Sequence, residues 1–249
     1  NMSGDPEQEY FSDGISEDVI TDLSKVSALS VIARNTAFTF KGKHVDIPQL
    51  ARQLKVSHVL EGSVRKSGQR VRITAQLIDG ATGSHVWAER YDRDLNDVFE
   101  LQDEISQAIV KALKQKLLPE EKKAIEQRGT TNLDAYNLYL MARQHYATGN
   151  EGDTRRNEAI IRLCRRATEI DPDHAHAWAL MALGQMLVSF LTGGQGDDGL
   201  VAAERALALD TNLAEAHAVK ARILSEGGRH DDASTEIEVA LRLDPESYE

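Results

Sequence analysis

Apolar residues in the first half of the chain alternate between two spacings. Ile15, Val19, Ile20 and Leu23 recur at helical intervals after the entry Asp5-Pro6-Glu7-Gln8-Glu9. Acidic side chains there suit the positive end of a helix dipole. The spacing predicts helix over residues 6–26, with Ser12 or Ser16 capping a following segment. Leu29 to Arg34 is short, apolar and partly β-branched, and reads as a buried strand. Asn35 to Val45 reads as a loop, after which Asp46 caps a helix that starts Ile47-Pro48. Three strands follow, from Ser57 to Lys66, Arg70 to Asp79 and His85 to Tyr91. In the second, Val71, Ile73, Ala75 and Leu77 alternate with Arg70, Arg72, Thr74 and Gln76, the period of a sheet with one wet face. Val86 and Trp87 read as packing residues of the third. Val98, Leu101, Ile105, Ile109, Ala112 and Leu113 predict a helix from about Leu95 to Leu118, and Pro119 opens a more polar one through Arg128. A strand, a helix and another strand imply a parallel pair, so the expected sheet is mixed. Such a sheet needs a central strand ahead of Asn1, which suggests a piece of a longer protein.

From Thr131 onward the apolar spacing is helical throughout. It predicts one pair from Leu133 to Thr148 and Arg155 to Ile170. A second pair starts near Asp173 and returns over Leu200 to Leu209, and a third spans Ala214 to Glu226 and His230 to Leu243. One phrase recurs: Arg166-Ala167-Thr168-Glu169-Ile170-Asp171-Pro172, then Arg205-Ala206-Leu207-Ala208-Leu209-Asp210-Thr211, then Val239-Ala240-Leu241-Arg242-Leu243-Asp244-Pro245. The last two are 34 residues apart and the first two 39, so Thr192 to Gly199 carries an insertion. Counted from Ala214, small residues fall at positions 8, 20 and 27 (Ala221, Ala233, Ala240) and Pro245 at 32. These residues resemble the tetratricopeptide (TPR) family, helix–turn–helix units repeating every 34 residues. The resemblance implies stacked hairpins whose first helices line a concave face.

A second resemblance rests on Asp5-Pro6-Glu7-Gln8-Glu9-Tyr10-Phe11-Ser12-Asp13-Gly14-Ile15-Ser16-Glu17, Val59-Leu60-Glu61-Gly62-Ser63-Val64-Arg65, Arg70 to Asp79 and Trp87-Ala88-Glu89-Arg90-Tyr91-Asp92. These phrases are similar to the TolB amino-terminal-like domain. The expected organisation is an α+β protein: a mixed-sheet TolB-like α/β domain over residues 1–118 with its first strand missing, a helical linker over 119–131, and three TPR-type helix pairs over 132–249. This order resembles the C-terminal half of bacterial signalling proteins. In many, a class III adenylate/guanylate cyclase domain precedes it; in others, a winged-helix transcription-factor domain; a cell-envelope scaffold is the third reading. The resemblance implies a bacterial cytoplasmic or periplasmic location, with any inner-membrane anchor in a missing upstream segment.

Composition narrows the function. At 41% hydrophobic and 28% charged the chain is globular, and no run reaches the ~18 apolar residues of a membrane span. Residues 1–130 hold 18 basic and 20 acidic side chains, whereas residues 131–249 hold 11 and 20. An acidic back half repels phosphate backbones, so nucleic acid is not the expected ligand. Its long-range field favours a basic partner, although acidity also serves solubility alone.

No catalytic, cofactor or metal constellation emerges, and the chain itself is expected not to be an enzyme. His174 and His176, two apart at a helix start, are expected to point about 200° apart, unlike ligands three or four apart. Cys164 falls at a packing position, so it reads as a buried thiol. Asp197-Asp198 beside glycines lacks the alternating ligands of a calcium loop. Arg65, Lys66, Arg70 and Arg72 read as protection of a sheet face and edge, with phosphate or lipid head groups as the alternative. Trp178, Tyr136 and Tyr139 read as core between repeat helices, with a peptide anchor as the alternative. By resemblance, Asn137, Gln144, Ala179 and Arg222 are the candidate groove residues, and the partner is a protein, a peptide or a second copy.

Overall fold

The computed structural model describes residues 1–126, 129–149, 152–194 and 198–244. The chain divides into two compact units, Asn1–Arg128 and Gly129–Glu249. No described helix is long and apolar enough to cross a membrane.

In the first unit, Asp5 accepts a hydrogen bond from the Glu7 amide (2.9 Å) and opens a 3-10 turn, Pro6–Gln8, which runs into α1 (Glu9–Ser24). Ser12 and Ser16 lie inside this continuous helix and cap nothing; the Ser16 hydroxyl donates to the Ser12 carbonyl, 3.0 Å away. Then come α2 (Arg34–Phe38) and α3 (Ile47–Leu54), the latter capped at its start by Asp46, which accepts from the Gln49 amide (2.8 Å). Strands β1 (His58–Ser67), β2 (Arg70–Asp79) and β3 (His85–Asp94) follow, then a 3-10 turn, α4 (Val98–Ala112) and α5 (Pro119–Glu126).

The sheet is three-stranded, ordered β1-β2-β3, with antiparallel pairing throughout. The expected parallel pair is absent because Leu29 to Ala33 forms no strand and Arg34 starts a helix. A short apolar run has no periodicity of its own, and here it spends its apolar character on partial burial in an irregular connection. The helix expected to reach Leu118 stops at Ala112, where Lys114 takes a left-handed conformation (φ 56°). Nor do Val86 and Trp87 pack together. The β2–β3 register shifts between Leu77 and Ile78, and Val86 at the irregularity is exposed while Trp87 is half-buried. An extra residue at a bulge leaves the alternation, so its side chain is not bound to the core face.

One face of the sheet presents Val64, Val71, Ile73, Ala75, Leu77 and Tyr91. Helices α1 and α4 cover it with Phe11, Ile15 and Val19, and with Val98, Leu101, Ile105 and Ile109, all buried. Each large apolar side chain so buried contributes roughly 1.5–3 kcal/mol before entropy is charged against it. The helix–helix seam also holds polar pairs: Gln102 donates to Asp18 (2.6 Å) and Ser106 to Asp22 (3.2 Å). α5 is tied to the end of α1 by Glu121. Its carboxylate accepts from the Ser27 amide (2.9 Å), the Ser27 hydroxyl (2.6 Å) and the Leu118 amide (2.9 Å). Those bonds, the Ser27 hydroxyl's foremost, hold the carboxyl below its ordinary range.

The second unit is a series of closely packed antiparallel helices resembling a helical-repeat array: α6 (Leu133–Ala147), α7 (Thr154–Ile170), α8 (Ala175–Leu191), α9 (Leu200–Leu209), α10 (Ala214–Glu226) and α11 (His230–Leu243). Small residues sit where helices meet; Ala142, Ala167, Ala182, Ala203, Ala206 and Ala240 have no exposed surface. The alternation of helix and turn is capped locally, as where Asn132 accepts from the Asp134 and Ala135 amides (3.0 and 3.1 Å). Of the predicted acidic pair in the α8–α9 connection, Asp197 lies outside the described residues, and Asp198 accepts from the Leu200 amide (3.0 Å).

Gly199 leads into α9 with φ +87°, and a Cβ there would stand 2.3 Å from the backbone oxygen of Ala182. Gly193 shares the left-handed backbone (φ +76°) but has open space around it. Gly199→Ala is expected to destabilise the array by more than the ~1–2 kcal/mol that left-handed strain alone costs. Gly193→Ala is expected to show no more than that strain, and equal losses of Tm for the two would contradict the packing argument.

Candidate partner-binding groove

The first helices of the three hairpins, α6, α8 and α10, are neighbours, with α8 touching both others. A polar cluster bridges them. Arg143 of α6 donates from Nη1 to the Tyr139 hydroxyl (2.8 Å), one helical turn earlier, and to Glu215 Oε1 (3.0 Å) at the start of α10. The guanidinium carbon lies 5.8 Å from the Tyr139 ring centre. The Tyr139 ring also meets His174 edge-on (centroids 4.9 Å apart) and His176 (6.1 Å). Arg143 above all, and His176 to a lesser degree, hold the Glu215 carboxyl below its ordinary range against the opposing effect of burial. The Glu215 side chain is still half exposed, so the ion pair lies at the surface of the array.

The two histidines contradict the helical geometry expected of them. His174 lies just before α8 (φ −75°, ψ 84°), outside the helix, so the angle between successive helical side chains does not apply. Their rings come within 6.3 Å and share Tyr139. His174 is 2% exposed and neither ring nitrogen has a hydrogen-bond partner. Burial, helped by His176, pushes its pKa down to about 3.

The four candidate groove residues divide. Asn137 is half-buried, with an Oδ1 that is buried and unbonded, and Gln144 is half-buried near the end of α6. Arg222 is exposed on α10. Ala179 is 1% exposed, packed with Ala175, Ala206, Leu213 and Ala216, and offers no surface to a guest. Tyr136 and Tyr139 are buried, and Trp178 packs on that alanine cluster while donating to the Pro172 carbonyl (2.9 Å), so all three serve the core reading. Arg143 and Glu215 were not legible as a pair. They are 72 residues apart, and only the stacking of hairpins brings the end of one first helix to the beginning of another.

The arrangement brings a guanidinium, an imidazole and a carboxylate from three helices close together. The Cys164 thiol is fully buried and its pKa is raised by that burial, which keeps it protonated and unreactive. Among the described residues, no three His, Cys, Asp or Glu side chains gather in a way that could hold a metal ion.

Comparison with known proteins gives two matches. Residues 5–131 match the family described as the second domain of HilA/YgeH-like transcriptional regulators. This overturns the TolB amino-terminal-like assignment. The phrases that suggested it are short strand and helix-entry stretches, whereas the match covers the sheet, its covering helices and α5 together. The second match is a protein of Rhizobium meliloti (strain 1021) named as an adenylate cyclase, 45% identical over 239 residues. The alignment takes in 94% of this chain and 40% of that relative, so this chain corresponds to less than half of it.

Because His174 refuses a proton in the folded state that the unfolded ring accepts near 6.5, its contribution to stability is full above that pH. It is lost as the pH falls from 6.5 toward about 3, at up to about 1.4 kcal/mol per pH unit. His174→Leu is expected to flatten the urea-midpoint profile between about pH 5 and 6.5, and to leave stability near neutrality unchanged or higher, since no hydrogen bond is lost. An undiminished slope in the variant would rule this out.

Proposed function

Since this chain belongs, through residues 5–131, to the family described as the second domain of HilA/YgeH-like transcriptional regulators, we propose that it is the regulatory, partner-binding half of a bacterial signalling protein. Its helical array is of the TPR type, and a protein or peptide partner lies across the first helices α6, α8 and α10. The observation that supports this reading is the exposed Arg143–Glu215 pair, which links the first and third hairpins, with the half-buried His176 of the second close to the same buried Tyr139 ring. Stacked hairpins leave such a surface free because each unit uses its other faces to bury its neighbours. The work of the chain is binding, and any catalysis by the parent belongs to another domain.

The output domain of the parent is an adenylate/guanylate cyclase. The similarity to a relative named as an adenylate cyclase supports this, extending as it does through both units. A winged-helix transcriptional regulator is the second reading, favoured by the printed description of the family. The sequence encoded upstream of Asn1 in the parent gene discriminates the two: paired metal-binding aspartates of a cyclase domain support the first, a DNA-reading helix the second.

A photoreactive amino acid at Gln144 or Arg222 is expected to crosslink one partner protein in cells, and Arg143→Glu to abolish that capture. The same residue at Arg162, exposed on α7, is expected to give none of it. Equal capture from all three positions would refute a groove. The isolated chain, incubated with ATP or GTP and a divalent metal, is expected to yield no cyclic nucleotide; product formation would refute the non-catalytic assignment.

A further inference from the structure

Stacked hairpins ordinarily touch only their immediate neighbours. The Arg143–Glu215 pair departs from that rule, because it joins the first hairpin to the third. Helix α8 of the second hairpin touches both α6 and α10, so the pair has to pass across it. It passes on the open side, since the two side chains are 25% and 48% exposed. His176, in the first turn of α8, marks the place crossed. Its ring lies 6.1 Å from that of Tyr139, and its charge acts on the Glu215 carboxyl.

The two ends of the pair are held unequally. Arg143 also donates to the hydroxyl of Tyr139 (2.8 Å), a buried side chain, and its guanidinium carbon lies 5.8 Å from that ring centre. The Glu215 carboxylate has Arg143 as its hydrogen-bond partner among the described residues. Glu215 belongs to the first turn of α10, where the helix dipole favours a negative charge. On separation the guanidinium keeps its tyrosine, and the carboxylate keeps the helix end and water. Neither charge is stranded, so opening is cheap: a part-exposed pair of this kind favours its closed form about two- to fivefold. We propose that the Arg143–Glu215 pair is a gate across the groove face of α8, an autoinhibitory contact in which Glu215 occupies Arg143 until a partner segment displaces it. The gate follows from contacts within the array; that it admits a partner rests on the groove reading above. A gate this light does not exclude a partner. It lowers the affinity by the fraction of chains that stand open, again about two- to fivefold.

The test uses the whole chain and reads access to α8 without the partner. A thiol is placed beneath the pair by His176→Cys and reacted with iodoacetamide. Rates are expressed per thiolate, which removes the opposite effects of losing Arg143 or Glu215 on thiol acidity. Cys164, fully buried, reports whether the array stays intact. Adding Arg143→Met or Glu215→Gln is expected to speed the reaction at position 176 about two- to fivefold. Adding Arg143→Glu and Glu215→Arg together is expected to return it to the starting rate. Salt raised to about 1 M is expected to speed the reaction in the His176→Cys chain with its pair unaltered, because screening weakens the contact. Unchanged rates in both single variants, or a fast rate that persists in the charge-reversed pair, would overturn the gate. Where a variant lets the reagent reach Cys164, the salt response of the His176→Cys chain decides. In cells, Glu215→Gln is expected to raise capture through the photoreactive residue at Gln144. Faster reaction at position 176 with no capture from either groove position would refute the groove and leave the gate standing.

Discussion

Everything in the second unit depends on how closely two helices can approach. A helical hairpin buries one side of each helix and leaves the rest wet, so it is stable only when a neighbour covers it. Close approach requires side chains that end at Cβ. Ala167, Ala206 and Ala240 each sit in the second helix of a pair with no exposed surface, and Ala203 and Ala182 complete the same seams. Gly184 takes this further, since a Cβ there would meet Ile161 at 3.0 Å. Larger residues at these points would force the helices apart and lose dispersion contacts along their whole length.

The first unit solves a different problem. A three-stranded antiparallel sheet with one covered face is a thin scaffold, and its stability comes from the two helices laid on it. Phe11, Val98, Leu101, Ile105 and Ile109 form a nearly dry layer, and the Gln102–Asp18 and Ser106–Asp22 pairs fix the register of α4 against α1. Buried polar pairs add little net stability but penalise any sliding that leaves them unmatched. Lys66 shows how the sheet edge is used: its ammonium lies 4.8 Å from the Phe11 ring centre and 5.8 Å from that of Tyr10, and burial lowers its pKa. Part of the basic hairpin cluster is thus spent on packing. Arg70 and Arg72 are spent on Asp92, which both grip from β2.

Histidine carries much of the remaining information in the array. His174 is buried with no hydrogen-bond partner and is held neutral, while His217 is met by an acceptor at each nitrogen. The same residue type stands in two contrasting surroundings within one array, one dry and unbonded, the other hydrogen-bonded at both nitrogens.

The sequence by itself determined the helical boundaries of the array. Recurrence of Ala167, Ala206 and Ala240 in a fixed phrase reports packing between adjacent units, which is local in the chain, and the observed helices from α6 to α11 follow the predicted ones closely. It determined the three strands too, because the alternation in Arg70–Asp79 is a property of a pleated surface with one wet face. The tertiary structure alone decided that Leu29 to Ala33 is not a strand, since pairing needs a partner that no local pattern names. It decided that α4 ends at Ala112, with Lys114 in the left-handed conformation that glycine more often supplies after a helix. It also brought Arg143 to Glu215 and His217 to Glu236, pairs fixed by the stacking of whole hairpins. Periodicity records which side of an element faces inward; it does not record what stands opposite.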